Sequence, residues 1–514
     1  MATLAQRIAS AWSALLGRQQ RDPYAGTYGA SSGAGFAGAH VGRLTASLAT
    51  WSGSVNAELD AALPVLRARA RALARNTEHG KRFVSLCATN IVGRSHPKLQ
   101  VRALRDQRNP NAPTTLDTAA NAAIEAHWAA WGDTCDITGR HRSLAAFLRT
   151  VVKAVARDGE TLVRPIRRRG AAYGLTLQHL AIDRLDEALN QRQDNGNAIR
   201  QGVEIDGTGR PVAYWVRTQH PGDNYLTQAP GYERIPAGDV WHVMLPEDAE
   251  QVRGIPWMHA VIRRASTLAE FEEAAVVAAK IGASKIAALQ RADDAPDALA
   301  GMVDAKVGNN YHMQVEAGEL FELPPGYTLN SWNPEYPHAN FESFLKACLR
   351  GLSAGLDVAA HNLTGDMTDV NYSSARIAEL GERETWMVLQ DWLISTLVRP
   401  IYQEWLAIAL LRGDITFPVS GSALPAERLG KFAAASGFQG RRWAWVDPAK
   451  EQNANEQALA NFVTSRTRLA AEAGEEFDDI LAERAEEEAA LRDAGLLPVA
   501  APAAPAQPAP APTQ

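Results

Sequence analysis

The chain has 514 residues, of which 46% are hydrophobic, and it carries a formal net charge of −6. This length is too great for one hydrophobic core and predicts roughly three domains, while the net charge excludes a surface that binds polyanions everywhere. The three cysteines, Cys87, Cys135 and Cys348, are odd in number and widely spaced, which excludes a disulfide framework and favours a reduced intracellular protein.

Charge is distributed unevenly along the chain. Residues 61–110 contain eleven Lys or Arg and two acids, whereas residues 471–493 contain ten acids and two Arg. A solvated charged face is the common explanation of such runs, and surfaces for different partners are the alternative. The richest apolar window, residues 392–411, is interrupted by Arg399 and Glu404, so the sequence predicts no membrane span.

The N-terminal part predicts an arm followed by helices. Residues 1–57 include a long stretch rich in Gly, Ala and Ser and predict a flexible arm. Helical periodicity begins near Glu58 and ends at Gly93, a natural helix terminator. LDTAANAAIEAHWAAWGD predicts a second helix, and a third is predicted from about Ser143 to Arg157.

The pattern then changes from helices to strands. ETLVRPIRR and YGLTLQHLAI have strand-like composition. GVEIDGTGRPVAYWVRTQH alternates on both sides of a DGTG turn and predicts a hairpin. DVWHVML completes this α+β region.

A long helix and an insert follow. QVRGIPW places Pro256 at the start of a helix that is predicted to continue to about Leu289. Residues 290–338 contain Asp and Pro breaks and short strand candidates such as MQVEAGELFEL.

A polar loop separates two more helices. FESFLKACLRGLSAGLDVAAHNL predicts the first of them, and TGDMTDVNYSSAR interrupts the helical pattern with hardly any apolar side chain. The second is predicted from about Ser374 to Arg412, with a bend at Pro400. A compact insert carried between two helices, with a polar loop leading to a third, is an unusual layout for an enzyme.

Two motifs that would carry chemistry are incomplete. GLSAG, at 351–355, matches the nucleophile elbow of serine hydrolases and offers Ser353, but that elbow needs a preceding strand and FLKACLR predicts a helix. The polar loop offers Asp366, Asp369 and Asn371 as calcium ligands, but the spacing and the glycine of an EF-hand are absent. The sequence therefore predicts no catalytic residue, no metal site and no cofactor.

The end of the polar loop also fits a helix cap. Asn371, Ser373 or Ser374 is placed to accept a hydrogen bond from the first turn of the next helix, and Asp369 suits its positive end. Capping explains the last third of the loop, but not the length and polarity of the rest.

Four fragments in consistent order resemble the lambda-type portal proteins of tailed bacteriophages. They are RARALARNTEHGKRFVSLCATNIVG, QVRGIPW leading into LAEFEEAAVVAAKIGA, VNYSSAR before a long helix, and WVDPAKE. The resemblance covers roughly residues 58–497. It implies an α+β, mostly helical portal fold with wing, stem, clip and crown, assembled as a ring, usually of twelve subunits, around a central channel.

The resemblance also implies how the chain is divided. The parts are a flexible arm at 1–57, a wing at 58–255, a first stem helix at 256–289, a clip at 290–338, a second stem helix at 339–362, a tunnel loop at 363–373, a long wing helix at 374–412, the wing return and crown start at 413–470, an acidic helical crown at 471–497 and a disordered Ala/Pro tail at 498–514.

In this interpretation the tunnel loop faces double-stranded DNA in the channel. Lys346 and Arg350 either line the channel or pair with acids of neighbouring subunits, and Arg291 and Lys306 are candidates for docking terminase. Since phosphate contacts with Lys and Arg hold DNA strongly, a loop with acids and hydroxyls suits a constriction of low friction. The loop candidates are Asn362, Thr364, Asp366, Thr368, Asp369, Asn371 and Tyr372.

The implied function is a conduit for packaging and ejecting DNA at one capsid vertex of a phage or prophage. The implied partners are further copies of the chain, the terminase large subunit, the major capsid and scaffold proteins and a head–tail adaptor. The implied location is the virion, and the host cytoplasm during assembly.

Two other functions remain as alternatives. One is a DNA-binding protein that uses the basic region 61–110, where Arg67, Arg71 and Arg75 share one helical face, although pairing across a subunit interface explains them equally well. The other is a serine hydrolase that uses Ser353.

Overall fold

The computed structural model describes the chain between residues 53 and 496, with gaps. The predicted tail, the strand candidate MQVEAGELFEL and the predicted arm up to residue 52 lie outside the described residues. The described ranges are 53–106, 115–223, 231–283, 287–291, 305–307, 310–312, 327–331, 341–368, 370–443, 448–473, 475 and 477–496.

Two helices open the described chain. Helix α1 spans Val55–Asn76 and α2 spans Glu78–Cys87, and the hydroxyl of Thr77 between them caps the first turn of α2. A π-helical turn, Ala88–Val92, prolongs α2 as far as Gly93, whose φ is 86°. The helix end predicted at Gly93 is confirmed.

The next two helices belong to the main core. Helix α3 spans Thr118–Gly132 and α4 spans Leu144–Asp158. The hydroxyl of Ser143 accepts a hydrogen bond from the backbone N–H of Ala146 at 3.2 Å, and Gly159, with φ of 89°, ends α4. The third predicted helix is therefore confirmed, because a serine cap and a left-handed glycine define its ends.

An aromatic cluster ties α3 to the C-terminal half of the chain. Trp128 stacks on Trp131 with ring centroids 4.9 Å apart, and it meets Trp405 and Tyr402 edge-on at 5.2 and 5.6 Å. All four side chains are buried. Burial of such large rings, with their edge-to-face contacts, holds segments that are remote in sequence together.

Antiparallel sheets occupy much of the chain between Glu160 and Met244. The strands, with β1 from an earlier segment, are β1 Lys98–Val101, β2 Glu160–Arg167, β3 Leu175–Leu180, β4 Gln191–Arg192, β5 Ala198–Arg200, β6 Val203–Ile205, β7 Pro211–Arg217, β8 Tyr232–Pro236 and β9 Trp241–Met244. One sheet has the strand order β3–β2–β9, and the other, β4–β5–β6–β7–β8, covers a second apolar core.

The predicted DGTG hairpin joins β6 to β7. The side chain of Asp206 accepts hydrogen bonds from the backbone N–H groups of Thr208 and Arg210 at 2.8 and 3.0 Å. Gly209 has φ of 84°, a conformation that glycine adopts without strain. The hairpin prediction is confirmed.

The turn QVRGIPW packs directly onto the end of α4. A Cβ atom added to Gly159 would lie 2.5 Å from the carbonyl carbon of Ile255, and one added to Gly254 would lie 2.7 Å from Cβ of Glu160. Neither position has room for a side chain, so this close approach of two backbones requires glycine on both sides.

A buried group of charges lies beneath that turn, and we call it the Glu160 cluster: Glu160, Arg67, His242 and Arg253. Oε1 of Glu160 accepts hydrogen bonds from Arg67 Nη2 at 2.9 Å and Arg253 Nε at 2.7 Å. Its Oε2 lies 2.6 Å from His242 Nε2 and accepts a hydrogen bond from the N–H of Gly254 at 2.8 Å. The cluster joins α1, β2 and β9 to the turn before the next helix.

The charges in the cluster compensate one another. Glu160 and Arg253 are both 0% exposed. Burial raises the pKa of Glu160, but the positive charge of Arg253, the hydrogen bond with His242 and the charge of Arg67 outweigh it, so the pKa lies well below its usual range. Glu160 is therefore ionised at neutral pH although it is out of contact with water.

Helix α5 spans Ile262–Ala283. The helix predicted from Pro256 to Leu289 is wrong at both ends, because it begins six residues late and Ala287–Arg291 form strand β10. β10 pairs antiparallel with Tyr327–Ser331, numbered β13 below. A short apolar run is compatible with helix or strand, and hydrogen bonds to a distant strand decide between them.

The predicted second stem helix is divided in two. Helix α6 spans Phe341–Ala354 and α7 spans Ala360–Thr364. A single helix over 339–362 is therefore wrong, because Asp357 between them has φ of 55°, outside the right-handed helical region. Periodicity did not reveal the break, since apolar residues continue at helical spacing across it.

The helix predicted from Ser374 to Arg412 is present, and it starts two residues earlier. Helix α8 spans Tyr372–Leu393, a π-helical turn follows at Ile394–Val398, and α9 spans Arg399–Arg412. Proline has no N–H to donate to the preceding turn, and the widened turn ends just before Pro400. The bend predicted at Pro400 stays a prediction, and the π-helical turn lies immediately before the helix that contains this proline.

The C-terminal segments contact the first part of the described chain. β14 pairs antiparallel with β1, with Gln439 opposite Lys98. No helix within the described ranges is both long enough and apolar enough to cross a lipid bilayer. The remaining elements are α10 Leu429–Ala434, β14 Ser436–Gln439, α11 Pro448–Ala460, α12 Arg466–Ala473 and α13 Phe477–Asp493, the last within the predicted acidic segment.

Candidate functional site

The polar loop occupies 365–371 between α7 and α8, shorter than the predicted 363–373. Its residues Gly365, Asp366, Met367 and Thr368 are exposed, and Met367 is an exposed apolar side chain to which the sequence analysis gave no role. The printed sequence from 364 to 372 contains no Lys or Arg. The loop therefore presents oxygen atoms and a thioether to its surroundings.

Asp366 organises the loop. Its Oδ1 accepts hydrogen bonds from the backbone N–H of Thr368 at 2.9 Å and from the Thr368 hydroxyl at 2.7 Å. These two bonds, and then the positive charges of Lys346 and Arg350, hold the pKa of Asp366 below its ordinary value. Asp366 is ionised at neutral pH, and its carboxylate both forms the turn and supplies negative charge.

The C-terminal end of the loop is a capping box. Oδ1 of Asn371 accepts a hydrogen bond from the N–H of Ser374 at 2.8 Å, and the N–H of Asn371 donates to the Ser374 hydroxyl at 3.2 Å. The predicted cap is confirmed, with Asn371 as the capping residue. Tyr372 is the first residue of α8, and Asp369 lies outside the described residues.

The N-terminal base of the loop rests on Glu382 of α8, which is buried. The carboxylate of Glu382 accepts hydrogen bonds from the N–H of Ala359 and from Nδ2 of Asn362, both at 2.8 Å, and from Trp386 Nε1 at 2.9 Å. Arg82 donates to the carbonyl of Asn362 at 3.1 Å. Asn362 is thus half-buried in the support of the loop. Glu382 and Arg82 belong to no sequence motif that marks them as part of this support.

Thr364 also turns inward. Its hydroxyl donates to the carbonyl of Ala360 at 2.8 Å and accepts a hydrogen bond from the N–H of Asp366 at 3.1 Å. The hydroxyl therefore links the last turn of α7 to the exposed part of the loop.

Lys346 connects α6 to the loop. Its Nζ lies 2.9 Å from a carboxylate oxygen of Glu342 and donates to the hydroxyl of Thr368 at 3.2 Å. Arg350, one turn further along α6, is exposed and is close enough to lower the pKa of Asp366. Both basic residues thus act on the loop of their own chain.

The two clip candidates lie on short antiparallel ladders. Arg291 ends β10 opposite Tyr327 of β13, which spans Tyr327–Ser331. Lys306 is in β11, Ala305–Val307, opposite Tyr311 of β12, Asn310–His312. The structure therefore gives their backbone positions, while their side chains lie outside its description.

Comparison with known proteins assigns the family. The family described as phage portal protein, lambda family, matches residues 41–390. A probable portal protein of Halomonas phage phiHAP-1 is 30% identical over 451 residues, which cover 84% of this chain and 82% of that protein. The chain belongs to the lambda family of phage portal proteins. The resemblance inferred from the sequence fragments is confirmed.

Other proteins that are similar to this chain share less sequence identity with it. Portal protein B of Escherichia phage lambda is 24% identical over 523 residues, covering 93% of this chain and 92% of its own. A chain of a native gene transfer agent virion is 14% identical with a TM-score of 0.40, covering 80% and 93% of the two chains. An HK97 family portal protein from Corynebacterium diphtheriae is 12% identical with a TM-score of 0.29, covering 76% and 98%.

Portal proteins are structural proteins rather than enzymes, and the geometry at Ser353 agrees. Ser353 lies inside α6, is 2% exposed and donates its hydroxyl to the carbonyl of Leu349 at 2.9 Å. Helix α6, not a strand, leads directly up to it, and its hydroxyl is committed to that helix. The hydrolase alternative is therefore wrong.

Two arginines of α1 are paired within the chain. Besides its bond to Glu160, Arg67 donates to Glu187 at 2.8 Å, and Arg71 pairs with Asp158 at 2.8 Å and with Asp183 at 2.7 Å. For Arg67 and Arg71, both a DNA-binding role and pairing across a subunit interface are therefore wrong, while Arg75 is exposed and its predicted role stays a prediction. Among the described residues, no group of three or more acidic, His or Cys side chains is arranged to hold a metal ion.

Substituting the capping residue tests how the loop is anchored. We expect Asn371→Ala to weaken the first turn of α8 by about 1 kcal/mol, because the N–H of Ser374 loses its acceptor. Hydrogen exchange of the amides in that turn should become about fivefold faster. Ser373→Ala, which alters an exposed neighbour in the same turn, is the matched control. Equal exchange in the two variants would contradict the role of the cap.

Proposed function

We propose that this chain assembles as a ring of twelve copies around a central channel and that double-stranded DNA passes through the channel during packaging and ejection. The observation that carries this proposal is the exposed loop at 365–371. It bears an ionised Asp366 and the hydroxyl of Thr368, it lacks Lys and Arg, and it is anchored on both sides by buried or capped contacts.

The chemistry of the loop suits a passage better than a binding site. Contacts between Lys or Arg and phosphate release counterions and hold DNA tightly. A carboxylate repels the phosphate backbone, and each of twelve copies repeats it around the channel. Thr368, Asp366 and Asp369 are the residues that we place nearest to the DNA, with Asn371 and Tyr372 behind them, and Asn362 and Thr364 at the base.

The remaining parts of the proposal concern partners. The segment between α5 and α6 forms the clip, where Arg291 and Lys306 are the candidates for contact with the terminase large subunit, and the same end later receives a head–tail adaptor. Major capsid and scaffold proteins surround the wing at one vertex of the virion, and the assembly forms in the host cytoplasm.

The mass and shape of the purified assembly provide the first test of the proposed ring. Native mass spectrometry of the purified chain should give a species of twelve chains of 55.5 kDa each, and negative-stain images should show closed rings with a central hole. Because scaffold protein helps some rings to close, the same measurement is made after co-expression with the scaffold and capsid proteins. A monomer or dimer under both conditions would refute the proposal.

A further inference from the structure

A cleft rich in positive charge lies between the end of α2 and the end of β14. It encloses a cavity of about 280 Å³. We call it the basic cleft, and its charged and titratable walls are Arg94, His96, Lys98, Arg441, Arg442 and Glu475. Four Lys or Arg side chains thus converge on one small space, in which Glu475 is the one carboxylate among the described lining residues.

The fold holds Arg441 in place in this cleft. Its Nη1 donates to the carbonyl of Thr89 at 2.7 Å and to Oδ1 of Asn90 at 2.5 Å, and its guanidinium lies 5.3 Å from the ring of Trp443. A Cβ added to Gly93 would lie 3.1 Å from the Arg441 side chain. The glycine that ends α2 therefore also makes room for the arginine.

The neighbouring backbone is fixed as well. Arg149 donates to the carbonyls of Gly93 and Arg94 at 2.9 and 3.1 Å. Arg94 and Arg442 are exposed at the mouth of the cleft. One cation of the basic cleft, Arg441, is thus held in place by the fold, and the backbone that carries Arg94 is hydrogen-bonded beside it.

The electrostatics of the cleft favour a bound anion. Burial, and then the positive charge of Arg383, lowers the pKa of Arg441. Glu475 lies 3.7 Å from Lys98 Nζ, and both side chains are substantially exposed, at 64% and 39%. Such an exposed, long ion pair contributes little stability, so Glu475 leaves the cleft open to a stronger anionic ligand.

We propose that the basic cleft binds the phosphodiester backbone of DNA. Guanidinium groups form paired, charge-assisted hydrogen bonds with phosphate oxygens, and such contacts position a duplex without selecting its sequence. The proposal rests on the proposed function, because it gives a portal subunit a second surface for DNA, with the opposite charge to the loop at Asp366. It also relocates the DNA contacts of the 61–110 region from the internally paired α1 arginines to Arg94 and Lys98.

Duplex binding by full-length protein tests the proposal. Fluorescence anisotropy with a labelled random-sequence duplex compares the wild type, Arg94→Ala/Arg442→Ala and the control Arg69→Ala/Arg75→Ala. The control removes the same charge from exposed positions of α1. We expect a wild-type dissociation constant of about 10⁻⁴ to 10⁻⁶ M near physiological salt. The cleft variant should bind about tenfold more weakly or worse, its slope of log affinity against log salt should be shallower by about 2, and the control should match the wild type.

Three results would overturn the proposal. The first is equal loss in both variants, which indicates nonspecific attraction. The second is displacement of the duplex by inorganic phosphate much better than by chloride at equal ionic strength, which indicates a site for free phosphate. The third is binding that emerges only after residues 471–496 are deleted, which indicates that an acidic protein segment fills the cleft. Negative-stain images of the same samples show whether rings have formed. If rings form but bind no duplex, the proposal for the basic cleft fails while the proposal of a ring-shaped conduit stands.

Discussion

Replacing Glu160 by glutamine is expected to lower the free energy of unfolding by about 3 to 5 kcal/mol. The carboxylate compensates Arg67 and Arg253 inside the protein, where water does not reach them. A glutamine of the same size leaves buried Arg253 without the carboxylate that it pairs with and leaves Arg67 with Glu187 alone. It also turns an N–H₂ group towards donors such as the N–H of Gly254. The loss of stability is therefore that of a buried charge without a counter-charge, which is larger than the loss of one hydrogen bond.

The measurement is urea unfolding followed by tryptophan fluorescence. Its matched control is Glu233→Gln, which removes the carboxylate of an ion pair with Arg164 at 2.8 Å, where the side chains are 44% and 28% exposed. Because exposed pairs contribute about 0 to 1 kcal/mol, the control should unfold close to the wild-type midpoint. Similar midpoints for the two variants would show that the Glu160 cluster contributes no more than a surface ion pair.

The pH dependence of the unfolding free energy provides a second test of the Glu160 carboxylate. The pKa of Glu160 is lowered in the folded chain, so the unfolded chain binds a proton at a higher pH than the folded chain does. The stabilisation is fully present above the ordinary glutamate pKa of about 4.3 and is lost as the pH falls towards the lowered value. The difference in unfolding free energy between wild type and Glu160→Gln should therefore shrink as the pH falls below about 4. A difference that widens with acid would contradict the assignment.

Local signals in the sequence were sufficient for the elements whose ends are chemically marked. Ser143 and Gly159 bound α4, Gly93 ends the first helical region and Asn371 caps α8. In each case the side chain or the permitted φ acts within one turn. Neither the sheet register nor any remote segment is needed for such a prediction.

The failures come from interactions that are distant in sequence. β10 takes its structure from hydrogen bonds to Tyr327–Ser331, and no periodicity within Ala287–Arg291 signals them. Arg67 and Arg71 have the spacing of a basic surface stripe, yet their carboxylate partners lie in α4, β2 and the segments that follow. The sequence pattern fixes which face of α1 they share, but not whether that face meets water or acids.

The residues of the candidate site also fall into two groups, those whose position the local sequence predicts and those whose position depends on remote segments. Asp366 and Thr368 were found because they are polar residues without an apolar neighbour to bury, and they are indeed exposed. Asn362 is also polar, but its side chain donates a hydrogen bond to buried Glu382. Composition does not distinguish an exposed polar residue from one that bonds to a buried group. The contact between Lys346 and Thr368 depends on how the loop folds back on α6, which no motif encodes.

Reversing the loop charge should have the largest effect on packaging. We expect Asp366→Lys to reduce nuclease-protected phage DNA at least about tenfold, because a lysine in every copy replaces repulsion of phosphate by contacts that each steepen the salt dependence of binding by about 0.9. Asp366→Asn separates charge from structure, since its Oδ1 still accepts the two hydrogen bonds from Thr368 that form the turn. It should package nearly as well as the wild type.

The packaging measurement is quantitative PCR of protected DNA in particles that contain each variant, with rings verified by negative stain beforehand. Asp194→Lys, an exposed charge reversal in a wing turn, controls for the change in net charge. If Asp366→Lys and Asp194→Lys package equally, the loop does not meet the DNA and the tunnel assignment fails. If Asp366→Asn is as defective as Asp366→Lys, the negative charge itself is required, and avoiding Lys or Arg at this position is not sufficient for packaging.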